Sequence, residues 1–207
     1  MSYGERQMEN EIKISKMTGK LFGVPSINTN PLSNPFCIKM SKTDSICKQC
    51  YSIGMLKRFR MSCIPSFQHN SEILMESIIK WRNLPVFKEK IVRFNSHGEL
   101  LNRTNYLNYV RIAQKNPGTR FALWSKRKDI IKNKMIHVDN LILVYSELKI
   151  NKIDLKIPRG FDKVFAVYDE DFAKENNIKI NCGGRKCMRC LLCYRNNGPK
   201  FIRELIK

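Results

Sequence analysis

Residues 141–145 have the sequence LILVY, five consecutive apolar side chains that end at Ser146. An apolar run without polar alternation is typical of a strand that is buried on both faces of a sheet. Similar runs occur at Ile91–Phe94, Arg120–Trp124 and Val164–Tyr168. Because the runs recur about every 20–30 residues with crossovers between them, they indicate parallel βαβ units. The sequence therefore predicts an α/β fold, as a partial (β/α) barrel or an open parallel sheet with cysteine-rich cluster-binding loops.

Two stretches between these runs have the apolar periodicity of helices. The periodicity predicts one helix over Ser66–Leu84, which Pro85 ends, and another over Asn105–Gln114. We expect a single domain over residues 1–207, in which residues 1–35 form an extended lead-in and residues 36–180 form the core. Residues 181–207 then form a cysteine-rich segment that ends in a short basic helix at Pro199–Lys207.

The composition restricts where the protein works and what it contacts. Lysine and arginine number 38 against 18 acidic residues, and a net charge of +20 attracts polyanions such as nucleic acids and nucleotides. Alternatively, the charged side chains form a solvated surface that binds no polyanion. No segment has the apolar length of a membrane span, so we expect no membrane partner. The start of the chain has no apolar signal region, which favours the cytoplasm and reduced cysteines over disulfides.

Four of the eight cysteines lie within twelve residues near the C-terminus. Four thiolates are a complete ligand shell for zinc or for a [4Fe–4S] cluster. Two successive gaps of two residues resemble ferredoxin ligation more than the two separate knuckles of a zinc site. We therefore predict an iron–sulfur cluster with zinc as the alternative metal, and the site could be purely structural. The ligands are Cys182, Cys187, Cys190 and Cys193.

A second set of cysteines lies far upstream, at Cys37, Cys47 and Cys50. Three cysteines leave one position of a cluster open for a substrate or a cofactor, as catalytic zinc sites keep one ligand exchangeable. Cys63 could close this shell as a fourth ligand, or it could be a small buried apolar residue. We predict three ligands and an open position.

Polar residues follow the predicted strands at several points. Ser96-His97-Gly98-Glu99 comes directly after the run at 91–94, and Ser125-Lys126 follows the run at 120–124. The carboxyl ends of parallel strands are where α/β folds build their sites. A glycine there lets the backbone approach a ligand closely, and Glu99 could accept hydrogen bonds from a cationic amine. The alternative is an ordinary loop with Glu99 in the first turn of a helix.

These motifs together resemble the bacteriophage gene-product-eighty-eight family over roughly residues 20–195. The resemblance is carried by the Cys47-x2-Cys50-Tyr51 loop, Arg93 with Ser96–Glu99, the strand end at Tyr145-Ser146, and the terminal cysteines with Tyr194. That family is in turn similar to a shortened form of the radical S-adenosylmethionine enzymes. This similarity implies an open [4Fe–4S] cluster at the upstream cysteines and an auxiliary cluster at the terminal ones.

The resemblance also implies roles for the strand-end residues and a location in the host cytoplasm if a phage encodes the protein. S-adenosylmethionine would be bound by Gly98, Glu99, Ser125 and Lys126, and Glu99 would accept a hydrogen bond from the amino group of the cofactor. The catalytic residues would be Glu99 and His97. The first functional hypothesis is thus an iron–sulfur enzyme that acts on a nucleotide or nucleic acid. The second is a basic nucleic-acid-binding protein without catalytic activity, whose fold is stabilised by a bound iron–sulfur cluster or zinc ion.

Overall fold

The computed structural model describes residues 11–132 and 138–206 of the chain, and a single seven-stranded sheet organises this part. The strands lie in the sheet in the order in which they occur in the sequence. β1 is antiparallel to β2, and β2 to β7 are all parallel to their neighbours. The strands are β1 (Ile14–Lys16), β2 (Pro25–Ile27), β3 (Ile91–Phe94), β4 (Arg120–Ser125), β5 (Leu141–Ser146), β6 (Lys163–Tyr168) and β7 (Phe201–Leu205).

This topology confirms the predicted α/β class and its mostly parallel open sheet. Each crossover moves the chain to the next strand in the same direction, which is the strand order of a (β/α) barrel wall. Within the described residues β1 and β7 do not pair, so the sheet stays open. The crossover between β5 and β6 contains no helix, in agreement with its short length.

Six α-helices occur in the described part of the chain, together with short 3-10 turns. They are α1 (Pro35–Met40), α2 (Tyr51–Arg58), α3 (Ile64–Glu76), α4 (Arg103–Lys115), α5 (Glu170–Glu175) and α6 (Cys187–Cys190). The longest of them have 13 residues. No helix in residues 11–132 and 138–206 has the length and apolar character that a membrane crossing needs.

One face of the sheet packs against α3 and α4. Val92 and Phe94 of β3 point to this side, where the Phe94 ring stacks on Tyr109 of α4 at 4.3 Å between centroids. Leu74 of α3 is fully buried in the same cluster. Because side chains alternate along a strand, Ile91 and Arg93 must point to the opposite face.

The opposite face is covered by the C-terminal cysteine segment instead of a helix. Cys193 and Tyr194 are buried against Ile91, Ile142 and Phe165. All six residues of β5 and all six of β6 are buried, which confirms the prediction that the apolar runs are covered on both sides. The cysteine-rich segment is therefore part of the core and not an appendage.

The predicted helix over Ser66–Leu84 has different bounds in the structure. It begins at Ile64, where Pro65 is tolerated in the first turn, and it ends at Glu76. The Asn108 side chain of α4 donates to the carbonyls of Leu74 and Ser77 and accepts from the N–H of Ile79. These bonds replace the next helical turn, so the chain leaves the helix after Glu76, with Ile79 buried and Ile78 and Trp81 exposed.

Two further predictions were wrong about regular structure at the ends of the chain. Pro199–Lys207 is not a helix, because Phe201–Leu205 forms β7 and pairs with β6. A helix this short gains little from its own hydrogen bonds, whereas the strand buries Ile202 completely. The lead-in over residues 1–35 contains β1 and β2, whose three residues each are too few to show a period. Residues 1–10 and Lys207 lie outside the described residues.

Candidate functional site

The loops after β2 and β3 are joined by hydrogen bonds between buried polar side chains. The Ser26 hydroxyl contacts Asn28 Oδ1 and Ser96 Oγ, each at 2.8 Å. The N–H of His97 donates to Asn28 Oδ1 at 2.9 Å. Buried polar groups are costly unless they are paired, so this network fixes one conformation for the two loops.

Gly98 is held against Thr29 at a distance that only glycine permits. Its φ is +85°, and a Cβ at this position would lie 2.2 Å from Thr29 Oγ1 and 2.3 Å from the Thr29 carbonyl oxygen. Thr29 Oγ1 accepts from the N–H of Glu99 at 3.1 Å and donates to the Glu99 carbonyl at 3.0 Å. The side chain of Glu99 therefore starts from a rigid backbone.

The Glu99 carboxylate is buried and joins the loop after β3 to the end of β4. Oε1 accepts from Ser125 Oγ at 2.6 Å and from the N–H of Leu100 at 2.8 Å, and Oε2 accepts from the N–H of Lys126 at 2.7 Å. Burial raises the pKa of Glu99, and the hydrogen bonds from Ser125 and Lys126 oppose that shift. Within residues 11–132 and 138–206 Oε2 accepts this one hydrogen bond, which leaves a lone pair for a further donor.

Lys126 extends this connection to the next strand. Its ammonium donates to Ser146 Oγ at the end of β5, at 2.6 Å. Directly after Ser146, Glu147 is paired with Lys152 at 3.2 Å. The carboxyl ends of β2 to β5 are thus linked in series, which brings the loop of His97, Gly98 and Glu99 next to Ser125 and Lys126.

The upstream cysteines are brought to this place by α1 and by a 3-10 turn over Ile46–Gln49. The Asn34 side chain caps α1 by accepting from the N–H of Phe36 and of Cys37, and it donates to the Glu99 carbonyl at 3.0 Å. The N–H of Ile46 donates to the Leu148 carbonyl after β5 at 2.9 Å. These two bonds place the turns that carry Cys37 and Cys47 over the strand ends, despite nine residues between the two cysteines.

The three upstream thiols are close enough to act on each other and on Glu99. Burial raises the pKa of Cys37, and the negative charges of Glu99, Cys50 and Cys47 raise it further, while Lys126 lowers it. Burial also raises the pKa of Cys47, again opposed by Lys126. A nucleophilic cysteine needs a lowered pKa, so the raised pKa values of Cys37 and Cys47 disfavour a role as attacking groups.

His97 lies beneath α2 and is neutral at pH 7. Burial lowers the pKa of His97 to about 4, and the charges of Arg60 and Arg93 act in the same direction. The ring stacks on Phe67 of α3, and Nδ1 is hydrogen-bonded to Ser52 Oγ. Ser52 follows Cys50 by two residues, so His97 holds the start of α2 against the loop after β3.

The four C-terminal cysteines form a second group on the sheet face that they cover. Burial raises the pKa of Cys193 to about 12, and it raises the pKa of Cys182 and of Cys187. Lys20, from the turn between β1 and β2, donates to Cys182 Sγ at 3.1 Å and to Glu204 Oε1 at 2.8 Å. A cavity of about 360 Å³ opens beside Cys182 and Lys20, bounded by Gly183 and Gly184.

Three buried donors beside these cysteines have no hydrogen-bond partner within residues 11–132 and 138–206. They are Arg93 Nε, Trp124 Nε1 and Tyr194 Oη. The Arg93 guanidinium stacks over the Trp124 ring at 3.7 Å, and its charge acts on Cys187 and Cys193 as well as on Tyr194. Unpaired buried donors call for an acceptor, and the sulfur atoms of an anionic cluster are such acceptors. The donor set therefore fits an iron–sulfur cluster at these cysteines.

The described residues contain no group of three His, Cys, Asp or Glu side chains arranged as ready ligands of a single metal ion. A [4Fe–4S] cluster takes one cysteine at each iron, so its ligands are spread more widely than those of one zinc ion.

Cys63 ends a 3-10 turn directly before α3, and its N–H donates to the Arg60 carbonyl. Its role as a fourth ligand or as a buried apolar residue stays a prediction.

Sequence reasoning missed three buried side chains that shape the site. Asn28, Thr29 and Asn34 are fully buried and hold the loop that contains His97, Gly98 and Glu99. The signal was the dense run of Ser, Asn and Thr at residues 26–30, directly after a short apolar stretch. Arg93 was part of the motif seen in the sequence, but its position beside Trp124 and the C-terminal cysteines depends on the sheet.

A comparison with protein-family models finds a match to gene product 88 over residues 3–202. The chain belongs to the gene product 88 family. No curated protein and no solved structure gives a significant match. The gene product 88 match covers every residue of the two cysteine groups and all of the linked strand ends.

Replacing Gly98 with alanine should lower the free energy of unfolding by roughly 2–4 kcal/mol, because the new Cβ would overlap Thr29 in a backbone conformation that favours glycine. Urea denaturation of the metal-free chain measures this change. Gly118→Ala is the matched control, since open space surrounds Gly118 and its φ is not positive. Equal stability of the two variants would contradict the close contact.

Proposed function

We propose that this gene product 88 protein is an iron–sulfur enzyme similar to the radical S-adenosylmethionine enzymes, and that its substrate is a nucleotide or a nucleic acid. The observation that carries the proposal is the grouping of Cys37, Cys47 and Cys50 with the buried Glu99 carboxylate over the carboxyl ends of parallel strands. A [4Fe–4S] cluster bound there would supply the electron that cleaves S-adenosylmethionine to methionine and a radical.

The chain's own residues supply the binding and orientation. Three cysteines leave one iron open to the cofactor. Glu99 Oε2 has a free lone pair for the ammonium of the cofactor, and Ser125 and Lys126 hold the carboxylate in place. The Lys126 ammonium adds a positive charge beside the thiolates, which offsets part of their repulsion.

Three predicted site residues take supporting roles in this proposal. Ser125 and the Lys126 backbone orient Glu99 by hydrogen bonds to its carboxylate. His97 positions α2 through Ser52. The catalytic group that contacts the cofactor is thus Glu99.

The four C-terminal cysteines would hold a closed auxiliary cluster. The charge of Arg93 acts on Cys187 and Cys193 of this group, and also on His97 in the loop after β3. A buried positive charge favours the reduced, more negative state of a cluster. Arg93 would therefore keep the auxiliary cluster easier to reduce.

The cleavage reaction is tested with anaerobically purified protein, S-adenosylmethionine and dithionite, by measuring methionine release. The wild type should release methionine, and Cys50→Ser should release none. Glu99→Gln should keep its iron and lose at least about tenfold in rate, because it weakens the contact to the cofactor's ammonium.

Glu170→Gln is the control for that experiment, because Glu170 lies on α5 and is exposed. A wild-type chain that carries the cluster but releases no methionine would contradict the enzyme. The basic nucleic-acid-binding protein without catalysis would then be the better account.

Removal of the Arg93 charge should shift a reduction potential. In a chain with Cys37, Cys47 and Cys50 replaced by serine, Arg93→Gln should lower the midpoint potential of the remaining cluster by on the order of 50 mV. Arg93→Lys should restore most of the shift. An electron paramagnetic resonance titration measures the potential.

Arg111→Gln is the matched control, because Arg111 Nε is also buried and unpaired within the described residues. It lies on α4, across the sheet from the cysteines, with its guanidinium over Trp81 at 5.7 Å. Equal potentials for the Arg93→Gln and Arg111→Gln chains would show that Arg93 does not act on the cluster.

A further inference from the structure

The positive charge of the chain is concentrated in the two cysteine-bearing segments. Residues 12–71 contain nine lysines and arginines and one acid, Asp44, and residues 176–203 contain seven cations and no acid. These two segments hold fifteen of the twenty net positive charges. Lys20 pairs with Cys182 and Glu204, but most of these cations are exposed, including Lys57, Arg58 and Lys186.

The same two segments expose large apolar side chains to solvent. Phe59 is 80% exposed, Phe22 is 66% exposed and Tyr51 is 62% exposed. Met61 is exposed two residues after Phe59, and Met188 is exposed with its side chain beside Gly23, which follows Phe22. Single exposed apolar residues are common, whereas a contiguous patch of them marks a site that contacts a partner.

Contacts made by the turn at residues 18–22 bring Phe22 close to the end of α2 and to the C-terminal segment. Arg60, next to Phe59, donates to Thr18 Oγ1 at 3.0 Å, and Thr18 lies in the turn that carries Phe22. The Lys186 ammonium lies 5.7 Å from the centre of the Phe22 ring and donates to the Gly19 carbonyl at 3.0 Å. We call Phe22, Tyr51, Phe59, Met61 and Met188 the stacking surface.

The stacking surface adjoins the proposed reaction site. Tyr51 directly follows Cys50, and its hydroxyl donates to the Ser96 carbonyl in the loop that carries Glu99. A molecule bound to this surface would thus be held beside the open cysteine group.

We propose that the stacking surface binds a single-stranded nucleic acid, whose bases stack on Phe22 and Phe59 and whose phosphates contact Lys57, Arg58 and Lys186. Alternating rings and cations are the chemistry by which proteins hold unpaired bases. A duplex buries its bases within its own stack and would use only the charge. This inference names the substrate class of the proposed function and rests on that function only for the reaction, because the binding itself needs no cofactor.

Binding is measured by fluorescence anisotropy on the metal-loaded chain, with a labelled twelve-nucleotide single strand and a hairpin duplex of the same length. We expect the single strand to bind more tightly at moderate salt. Phe22→Ala and Phe59→Ala should each weaken its binding by about tenfold, although neither removes a charge, and should leave duplex binding unchanged.

Val86→Ala is the control, because Val86 is 70% exposed and lies on the segment before β3, outside the two charged segments. Equal affinities for single strand and duplex, or ring variants that behave like Val86→Ala, would overturn the proposal. So would a sedimentation experiment in which the ring variants convert a dimer to a monomer, because the surface would then join two copies of the chain.

The methionine assay separates this inference from the proposed function. If the ring variants bind the single strand normally while the wild type releases methionine, the proposed enzyme activity is supported and the proposed stacking surface is contradicted. If the single strand binds through Phe22 and Phe59 but no methionine forms, the stacking surface is supported and the enzyme activity is contradicted.

Discussion

The hydrogen-bonded Glu99 carboxylate is the interaction on which the rest of the site depends. A buried carboxylate costs several kcal/mol unless its oxygens are paired, and here three donors from two neighbouring loops provide the pairing. The donors are in place only if β3 and β4 are in register and Gly98 lies against Thr29. The chemistry proposed for Glu99 and the stability of the strand ends therefore have the same origin.

The two cysteine groups lie at different places on the sheet. Cys37, Cys47 and Cys50 are carried by α1 and by short turns over the strand ends, which suits a position open to small molecules. Cys193 and its neighbours cover one sheet face, where Arg93, Trp124 and Tyr194 have buried donors without a partner in residues 11–132 and 138–206. A cluster at the second group would supply acceptors for these donors.

The sequence predicted β3 to β6 well, because a buried parallel strand produces an apolar run that few other structures give. It also predicted α4, whose apolar face repeats for several turns. It missed β1 and β2, because three residues show no period, and it placed a helix at β7, because only the unpaired edge of β6 makes a strand favourable there. The network of Asn28, Thr29 and Asn34 depends on contacts between loops that are far apart in the sequence.

The most direct test of the account is the iron, zinc and acid-labile sulfide content of protein purified without oxygen. We expect about eight irons per chain with matching sulfide in the wild type. We expect about four irons in a variant in which serine replaces Cys37, Cys47 and Cys50, and about four in a variant in which serine replaces the four C-terminal cysteines. A chain that contains zinc without sulfide, or whose iron does not change with these substitutions, would contradict the account.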